Sequence, residues 1–344
     1  MKSMPTRMLL VLLSLSAVFS AAGCRYSKEK GIEISFDHYA HGQYLAESGD
    51  TDAALEELLK AIQSDPELSA AHSAIGDIHR KDGNYKLAAA AYQNACRSNP
   101  YAFRAHYNLG VTYQTLAQAA EAIEEYTKNL KEAVNVYLRA VVIREDDFDA
   151  NLNLSACYFQ LGKYDLAEEY CTAAIAKNPK SPQAHSNLGI IYDSQNRLYK
   201  AIRSYKDSLE LDTHQPKILL NLGSTYMRQG MCKAALSPFR LASKQDPKDP
   251  APFRQIGQCY YRLKQYDKSI SAYEQALSLD PKDATALRGL GTVRITQYVL
   301  SQDDTELRDQ GLTAWRQSLE IMSDQEDLKK LLKKYSPPDQ SPEL

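Results

Sequence analysis

The sequence predicts an all-α solenoid, a stack of about eight helix pairs followed by one further helix at the C-terminal end. Three observations lead to this prediction. A Leu/Ile-Gly step returns every 34 residues, apolar side chains between the steps follow a helical period, and prolines return on the same 34-residue beat. Because a single short helix pair cannot bury its own apolar stripe, neighbouring pairs are expected to share one continuous core.

Small residues mark the period. Successive members lie 34 residues apart, except for one interval of 45 residues. They are Gly42, Gly76, Gly110, Ser155, Gly189, Gly223, Gly257 and Gly291. The prolines keep the same register, and their spacing contains the same 11 extra residues. One repeat is therefore longer than its neighbours by about three helical turns.

We assign eight repeats, numbered in chain order. Their bounds are 35–68, 69–102, 103–147, 148–181, 182–215, 216–249, 250–283 and 284–323. Position one is the first residue of each repeat. In repeat two, Ile75 and Gly76 lie on one face of a first helix that ends at Gly83, and Tyr92 lies on the apolar face of a second helix. Small side chains at position eight allow the two helices to approach closely, and large ones at position 24 fill the gaps.

Repeat three carries the 11 extra residues between Leu116 and Ala133. Since these residues keep the helical phase and contain neither Gly nor Pro, both helices are expected to continue into a protruding hairpin. Ile123, Tyr126 and Leu130 would then be exposed. Whether the 117–132 extension is a docking site stays open.

The C-terminal end predicts a cap. Repeat eight has about 8 extra residues, and a capping helix follows at 324–335. Ser323 and Glu326 match the S-x-x-E capping box, and four lysines near the end of the helix suit its dipole. Residues 336–344 are expected to form a disordered tail.

The N-terminus predicts export. Lys2 and Arg7 precede a short apolar run, which passes into Ala-Ala-Gly-Cys at residues 21–24. Residues 1–23 are therefore expected to be a signal peptide, and 24–34 a polar tether. The Cys24 context resembles the lipobox of bacterial lipoproteins, which implies that Cys24 is lipidated and anchors the chain. A cleaved signal with an unmodified cysteine is the alternative.

The repeat itself resembles the tetratricopeptide repeat (TPR). The match is fullest in repeat seven, with Phe253, Ile256, Gly257, Tyr260, Tyr266, Tyr273, Ala276 and Pro281. The resemblance covers about 290 residues and implies a right-handed superhelix with an extended groove lined by the first helices. A fold of this kind implies little about function by itself.

The sequence contains no convergent set of acid, base and nucleophile, and we expect a protein that is not an enzyme. His38, His72, His106 and His185 all occupy position four, which favours packing over metal binding. No cofactor, metal or small-molecule substrate is expected. The formal charge of -2 gives no case for nucleic acid. Five cysteines after Cys24 are expected to be buried free thiols, with a Cys232–Cys259 disulfide as the alternative to test.

Protein binding is the favoured activity. In the family that the repeat resembles, positions 2, 5, 6, 9 and 12 to 13 face the groove. Four consecutive repeats carry asparagine at position six, a ladder suited to bonding the backbone of an extended peptide. The predicted groove residues are Tyr107, Asn108, Val111, Leu152, Asn153, Phe159, Asn187, Ile190, Leu220, Asn221 and Met227. The alternative is that asparagine is simply the usual residue of the repeat at position six.

Charge in the groove gives a second hypothesis. The Lys and Asn clamp of chaperone-binding relatives is missing from every set of consecutive repeats. Arg254, Arg262 and Arg288 make the C-terminal end of the groove more basic, which would suit an acidic segment or reflect solvated charge.

These expectations converge on a lipid-anchored scaffold at the bacterial outer membrane that faces the periplasm and binds a protein or peptide segment. The chain resembles TPR lipoproteins of type IV pilus biogenesis, the secretin-assembly pilotins. An adaptor for cell-wall hydrolases or polysaccharide export is the alternative, and an enzyme is disfavoured because repeats occupy nearly the whole chain. The partner and the oligomeric state stay open.

Overall fold

The computed structural model describes residues 31–301 and 304–337. The predicted signal peptide, Cys24, most of the tether and residues 338–344 of the predicted tail lie outside the described residues. The described part of the chain contains helices and no strand. No helix within it is long and apolar enough to span a membrane.

Eight consecutive helix pairs and a final helix confirm the predicted fold class. Helix α1 covers 31–48 of the described residues. The others are α2 Thr51–Ser64, α3 Ser69–Lys81, α4 Tyr85–Ser98, α5 Phe103–Gln118, α6 Ile123–Ile143, α7 Phe148–Gln160, α8 Tyr164–Lys177, α9 Pro182–Ser194, α10 Leu198–Leu211, α11 Pro216–Arg228, α12 Cys232–Gln245, α13 Ala251–Arg262, α14 Tyr266–Leu279, α15 Ala284–Ser301, α16 Thr305–Ile321 and α17 Glu326–Tyr335. Odd-numbered helices up to α15 are the first helices of the eight repeats.

The chain divides into two compact bodies. The N-terminal body, Met1–Lys177, includes α1 to α8, and the C-terminal body, Asn178–Leu344, includes α9 to α17. Within each body, both the helices of one pair and the facing helices of successive pairs are packed together. Each body therefore builds its core by stacking pairs, as expected for a repeat protein.

Within a pair, the small residue at position eight lies under a large side chain from the second helix. A Cβ added to Gly110 would stand 2.6 Å from the Tyr137 ring, and one added to Gly189 would stand 2.5 Å from the Tyr205 ring. Both rings are buried. Because real Cβ atoms do not approach so closely, position eight has to be small wherever position 24 is a large ring.

Repeat four departs from this pattern at both positions at once. Position eight is Ser155 and position 24 is Cys171, and both are buried. The Ser155 hydroxyl donates to the Ala167 carbonyl at 2.7 Å. A larger residue on the first helix thus faces a smaller one on the second, and the large side chain that excludes a Cβ in the other pairs is missing here.

The histidines at position four have a structural role. His72, His106 and His185 each place Nε2 about 3 Å from the carbonyl oxygen of the proline six residues earlier, at 3.0, 3.1 and 2.9 Å. In repeat four, Asn151 replaces the histidine, and its amide donates to the Glu145 carbonyl at 3.1 Å. Position four therefore ties the turn between repeats to the next first helix. His38, in the first repeat, instead bonds Glu57 at 2.7 Å.

The extension in repeat three lengthens its second helix most. Helix α5 has 16 residues and α6 has 21. Ile123 is 74% exposed, as predicted, whereas the prediction for Leu130 was wrong, because this side chain is fully buried. Leu130 precedes Ala133, Val134 and Tyr137 by three, four and seven residues, so it continues their apolar stripe into the pair.

The final helix begins later than predicted. Gln325, rather than Ser323, is the residue before the first turn, so the capping-box prediction was wrong. The Gln325 side chain folds back and donates to the Ser318 hydroxyl at 3.0 Å and to the Met322 carbonyl at 2.9 Å. These bonds secure the end of α16, while Leu328 and Leu332 of α17 are buried. The final helix therefore covers the last pair.

The five cysteines of the described chain form no disulfide, and four of them are buried. Burial raises the pKa of Cys157, Cys171 and Cys259 to about 12. Cys232 and Cys259 belong to one core cluster but form no disulfide with each other. Since the thiolate is the reactive form, these side chains act as small apolar core residues.

The Ser155 and Cys171 pair suggests a double-mutant test in the C-terminal body. Gly189→Ser alone should lower the free energy of unfolding by about 1–3 kcal/mol through overpacking, and Tyr205→Cys alone by on the order of 3 kcal/mol through a cavity. The double variant should lose less than the sum, with a coupling of about 0.5–3 kcal/mol. Urea unfolding of the four proteins measures the coupling. Strict additivity would show that the two positions do not constrain each other.

A second test concerns His106, which is buried and has its pKa lowered from 6.5 mainly by that burial. As pH falls through 6.5, the unfolded chain takes up a proton before the folded chain does, so the folded state loses stability. His106→Asn introduces the residue that repeat four carries at position four, so it should keep the turn contact and reduce the loss of stability between pH 7.5 and 5.5. Thermal melting at both pH values measures it. His185→Asn, at a less buried site, is the control, and identical pH responses in all three proteins would contradict the role of His106.

Candidate functional site

Three consecutive first helices frame a pocket in the N-terminal body. Its volume is about 520 Å³, and α1, α3 and α5 supply most of its lining. The residues with long or polar side chains are Tyr39, Gln43, Ser69, Ser73, Asp77, Asn99, Tyr101, Phe103, Arg104, Asn108, Ile143 and Arg144. Several of them occupy positions 2, 5, 6 and 9, the positions expected to face a groove.

The floor of the pocket is braced between repeats. Asn108 donates to Asp77 Oδ1 at 3.0 Å, and the Tyr92 hydroxyl donates to the same oxygen at 2.5 Å. Arg80 lies 3.8 Å from Asp77. Burial raises the pKa of Tyr92, and its bond to Asp77 raises it further, so Tyr92 stays a neutral donor. Asn108 therefore holds repeat three against repeat two, and Asp77 has its negative charge partly satisfied.

An aromatic cluster lies beside the pocket. The Phe103 and Tyr107 rings stack with centroids 6.0 Å apart, and the Tyr107 and Tyr137 rings meet edge to face at 5.9 Å. Asn153 donates to the Tyr107 hydroxyl at 3.2 Å. The Arg144 guanidinium carbon lies 4.4 Å from the centroid of the Phe103 ring. The cluster therefore fixes Arg144 at the pocket through a cation–π contact.

Two of the predicted groove residues belong to the core. Leu152 is 4% exposed and Met227 is 5% exposed, so the prediction that they contact a ligand was wrong. Ile190 and Leu220 are half-buried and pack against core clusters of the C-terminal body. The other two apolar residues, Val111 and Phe159, are half-buried.

The asparagine ladder separates into two kinds of residue. Asn108 and Asn153 each donate a hydrogen bond to the preceding repeat, to Asp77 and Tyr107. Asn187 and Asn221 in the C-terminal body make no side-chain hydrogen bond with the described residues. The first two therefore act in packing, and only the last two keep free amides for a ligand.

The basic end predicted for the C-terminal body is internally paired. Arg254 bonds to Asp283 of the next repeat, and Arg288 bonds to Asp327 of the final helix. Arg262 donates to the Met227 carbonyl at 3.1 Å. The nearby Arg228 follows the same rule, with Asp193 of the previous repeat 2.5 Å away. These arginines link repeats, which argues against the hypothesis that they receive an acidic segment.

Several pocket residues were missed from the sequence. Tyr39 and Arg104 occupy positions five and two, so the repeat template contained a signal for both. Arg144 lies in the turn between repeats three and four, where the template predicts nothing. The described residues hold no group of three His, Cys, Asp or Glu residues placed to bind a metal ion. The pocket offers hydrogen bonds, two guanidinium groups and aromatic rings, which suit recognition of a polypeptide segment.

Comparison with known protein families gives a consistent result. Models of the tetratricopeptide repeat match residues 39–102 and 73–131, 146–214 and 252–283. Together these segments cover more than half of the chain. This fold is typically a non-catalytic scaffold for protein interaction.

Two relatives and one solved structure illustrate the similarity. The tetratricopeptide repeat-containing protein trd-1 of Caenorhabditis elegans is 26% identical over 165 residues, which are 48% of this chain and 20% of the relative. The human RANBP2-like and GRIP domain-containing protein 1 is 32% identical over 62 residues, 18% of this chain and 4% of the relative. The chain thus spans one fifth or less of these relatives. The pilF protein of Pseudomonas aeruginosa superimposes with a TM-score of 0.50 at 18% identity, covering 64% of this chain and 96% of pilF, which shows a shared fold.

The two kinds of asparagine are distinguishable by stability. Asn108→Ala and Asn153→Ala should each lower the free energy of unfolding by about 0.5–1.5 kcal/mol, because each removes a bond between repeats. The Asn187→Ala and Asn221→Ala double variant should unfold like the unsubstituted chain. Urea titration followed by circular dichroism measures the difference. Equal losses in both sets would show that the free amides also support the fold.

Proposed function

The chain belongs to the tetratricopeptide repeat family, and on that premise we propose that it is a lipid-anchored, non-enzymatic scaffold of the bacterial outer membrane. It faces the periplasm and binds a protein segment on the faces of its first helices. The specific role proposed is assembly of a type IV pilus secretin. The observation that carries the binding proposal is the pocket framed by α1, α3 and α5, with open polar and aromatic side chains.

The N-terminal sequence supports the anchor. Lys2 and Arg7 flank a short apolar run from Met8 to Phe19, which small residues connect to Cys24, the order found in exported lipoproteins. Acylation of Cys24 with several chains would give stable membrane attachment. Arg25 after the cysteine favours the outer membrane, as in the lipoproteins that the sequence resembles.

The repeats support the role of scaffold. Stacked pairs occupy nearly all of the described chain, and their matched side-chain volumes and cross-repeat bonds serve packing rather than chemistry. The pilus role rests on the lipobox together with consecutive repeats, and the likeness to pilF contributes the fold alone. The alternative function is that of an adaptor for cell-wall hydrolases or polysaccharide export, which the same anchor and fold would serve.

Replacement of the proposed lipidation site tests the anchor. Cys24→Ala should move the protein from the membrane fraction to the soluble periplasmic fraction, because it loses its acyl chains. Immunoblotting of the fractions measures this, and Cys96→Ala is the matched control because it leaves the N-terminus intact. A Cys24→Ala protein that stays with the membrane as the parent does would contradict the anchor.

Purification from detergent-solubilised membranes tests the partner. The proposed role predicts that a secretin co-purifies with the chain and that deleting the chain lowers the amount of assembled secretin multimer. Co-purification of a cell-wall hydrolase with unchanged secretin assembly would support the adaptor and contradict the pilus role.

A further inference from the structure

The charges in the pocket of the N-terminal body indicate what chemistry it recognises. Arg104 and Arg144 both line it, and both are exposed. Neither guanidinium forms an ion pair in the part of the chain that the structure describes. The only carboxylate in the lining, Asp77, is already bonded to Asn108 and Tyr92 and lies beside Arg80. The pocket therefore presents an excess of positive charge.

Three arginines on the first helices of the C-terminal body contrast with Arg104 and Arg144. There, Arg228, Arg254 and Arg288 on the first helices each meet an aspartate from an adjoining repeat or the final helix. Arg104 and Arg144 differ from these three arginines, because none of the residues that the structure describes supplies a matching acid to either. Two guanidinium groups without an intramolecular carboxylate therefore indicate a ligand that supplies the carboxylates.

The aromatic residues add an apolar requirement. Phe103 holds the Arg144 guanidinium at 4.4 Å from its ring centroid, which reduces the entropy lost when Arg144 binds an anion. Tyr101 is 81% exposed. Burial raises the pKa of the half-buried Tyr39, and the nearby positive charge of Arg104 partly opposes that rise. Aromatic surface next to two guanidinium groups suits a side chain that is apolar and flanked by acids.

We propose that this pocket binds an acidic peptide segment in which carboxylate side chains flank an apolar or aromatic residue, with Arg104 and Arg144 bonding the carboxylates. The inference deepens the proposed scaffold function and rests on it. Nucleic acid is the competing polyanionic ligand, and the formal charge of -2 on the chain gives no case for it.

The test uses the full chain in detergent and a labelled peptide, Gly-Asp-Glu-Phe-Glu-Asp-Gly, blocked at both ends. Fluorescence anisotropy should show binding that weakens as NaCl rises. The matched peptide with Asn and Gln in place of Asp and Glu should bind at least tenfold more weakly. Arg104→Gln and Arg144→Gln should each weaken binding of the acidic peptide about tenfold, since each removes a charge-assisted bond.

Arg97→Gln is the control variant, because Arg97 is an exposed arginine of the same body that does not line the pocket. Circular dichroism melting confirms that all variants fold. Equal affinity for the acidic and neutral peptides, no binding of either, or no effect of the two pocket substitutions would overturn the proposal. So would a single-stranded oligonucleotide that binds more tightly than the acidic peptide in a manner dependent on Arg104 and Arg144.

The outcome is separable from the fate of the scaffold function. If the Arg104→Gln and Arg144→Gln double variant still co-purifies with its cellular partner while the peptide result fails, the acidic-segment inference is wrong and the scaffold stands. If the acidic peptide binds as expected but the chain captures neither a secretin nor a hydrolase, the proposed cellular role is wrong and the pocket chemistry stands.

Discussion

In seven of the eight repeats, the packing of the helix pair depends on a glycine of the first helix that faces a large side chain of the second. In repeat three, no Cβ fits between the Gly110 backbone and the Tyr137 ring, so the ring packs directly against the backbone of the first helix. The Tyr137 hydroxyl then reaches Gln114 on the facing helix at 2.6 Å. Because the ring is buried and its hydroxyl is satisfied, one side chain sets both the distance and the rotation of the pair. The face that the first helix turns outward follows from that rotation.

Polar contacts between repeats then set the register of the stack. The position-four side chain holds the inter-repeat turn, and Asn108 fastens repeat three to Asp77 of repeat two. In the C-terminal body, Thr225 and Arg228 both bond Asp193 of the preceding repeat. Each bond is modest alone, at about 0.5–1.5 kcal/mol for a neutral pair. Hydrophobic contacts are not directional, whereas these hydrogen bonds fix how one repeat is oriented on the next. The first helices therefore lie side by side, and their outward faces form one continuous surface within a body.

The sequence predicted the parts of the structure that depend on spacing within a repeat. The period and the small and large positions predicted the helix pairs, since both describe contacts that recur in every copy. The predictions from sequence were wrong where a contact depends on the identity of a residue in another repeat. Asp283 and Asp327 reach Arg254 and Arg288 from 29 and 39 residues away, so those arginines looked free in the sequence. Leu152 and Met227 looked available for the same reason, and Gln325 replaced Ser323 at the helix start because its amide satisfies the end of the preceding helix.

An exposed arginine that no repeat neutralises costs the fold little, because water solvates the guanidinium in an open pocket. A ligand carboxylate has to displace that water, so each new ion pair contributes only a small net gain in binding free energy. Tight binding at the pocket therefore requires several contacts at once, made at the spacing that α1, α3 and α5 impose. The hydrogen bond from Asn108 to Asp77 holds α5 against α3 and so fixes part of that spacing. The residues that stabilise the stack thus set the positions of Arg104 and Arg144, and with them the ligands that the pocket can bind.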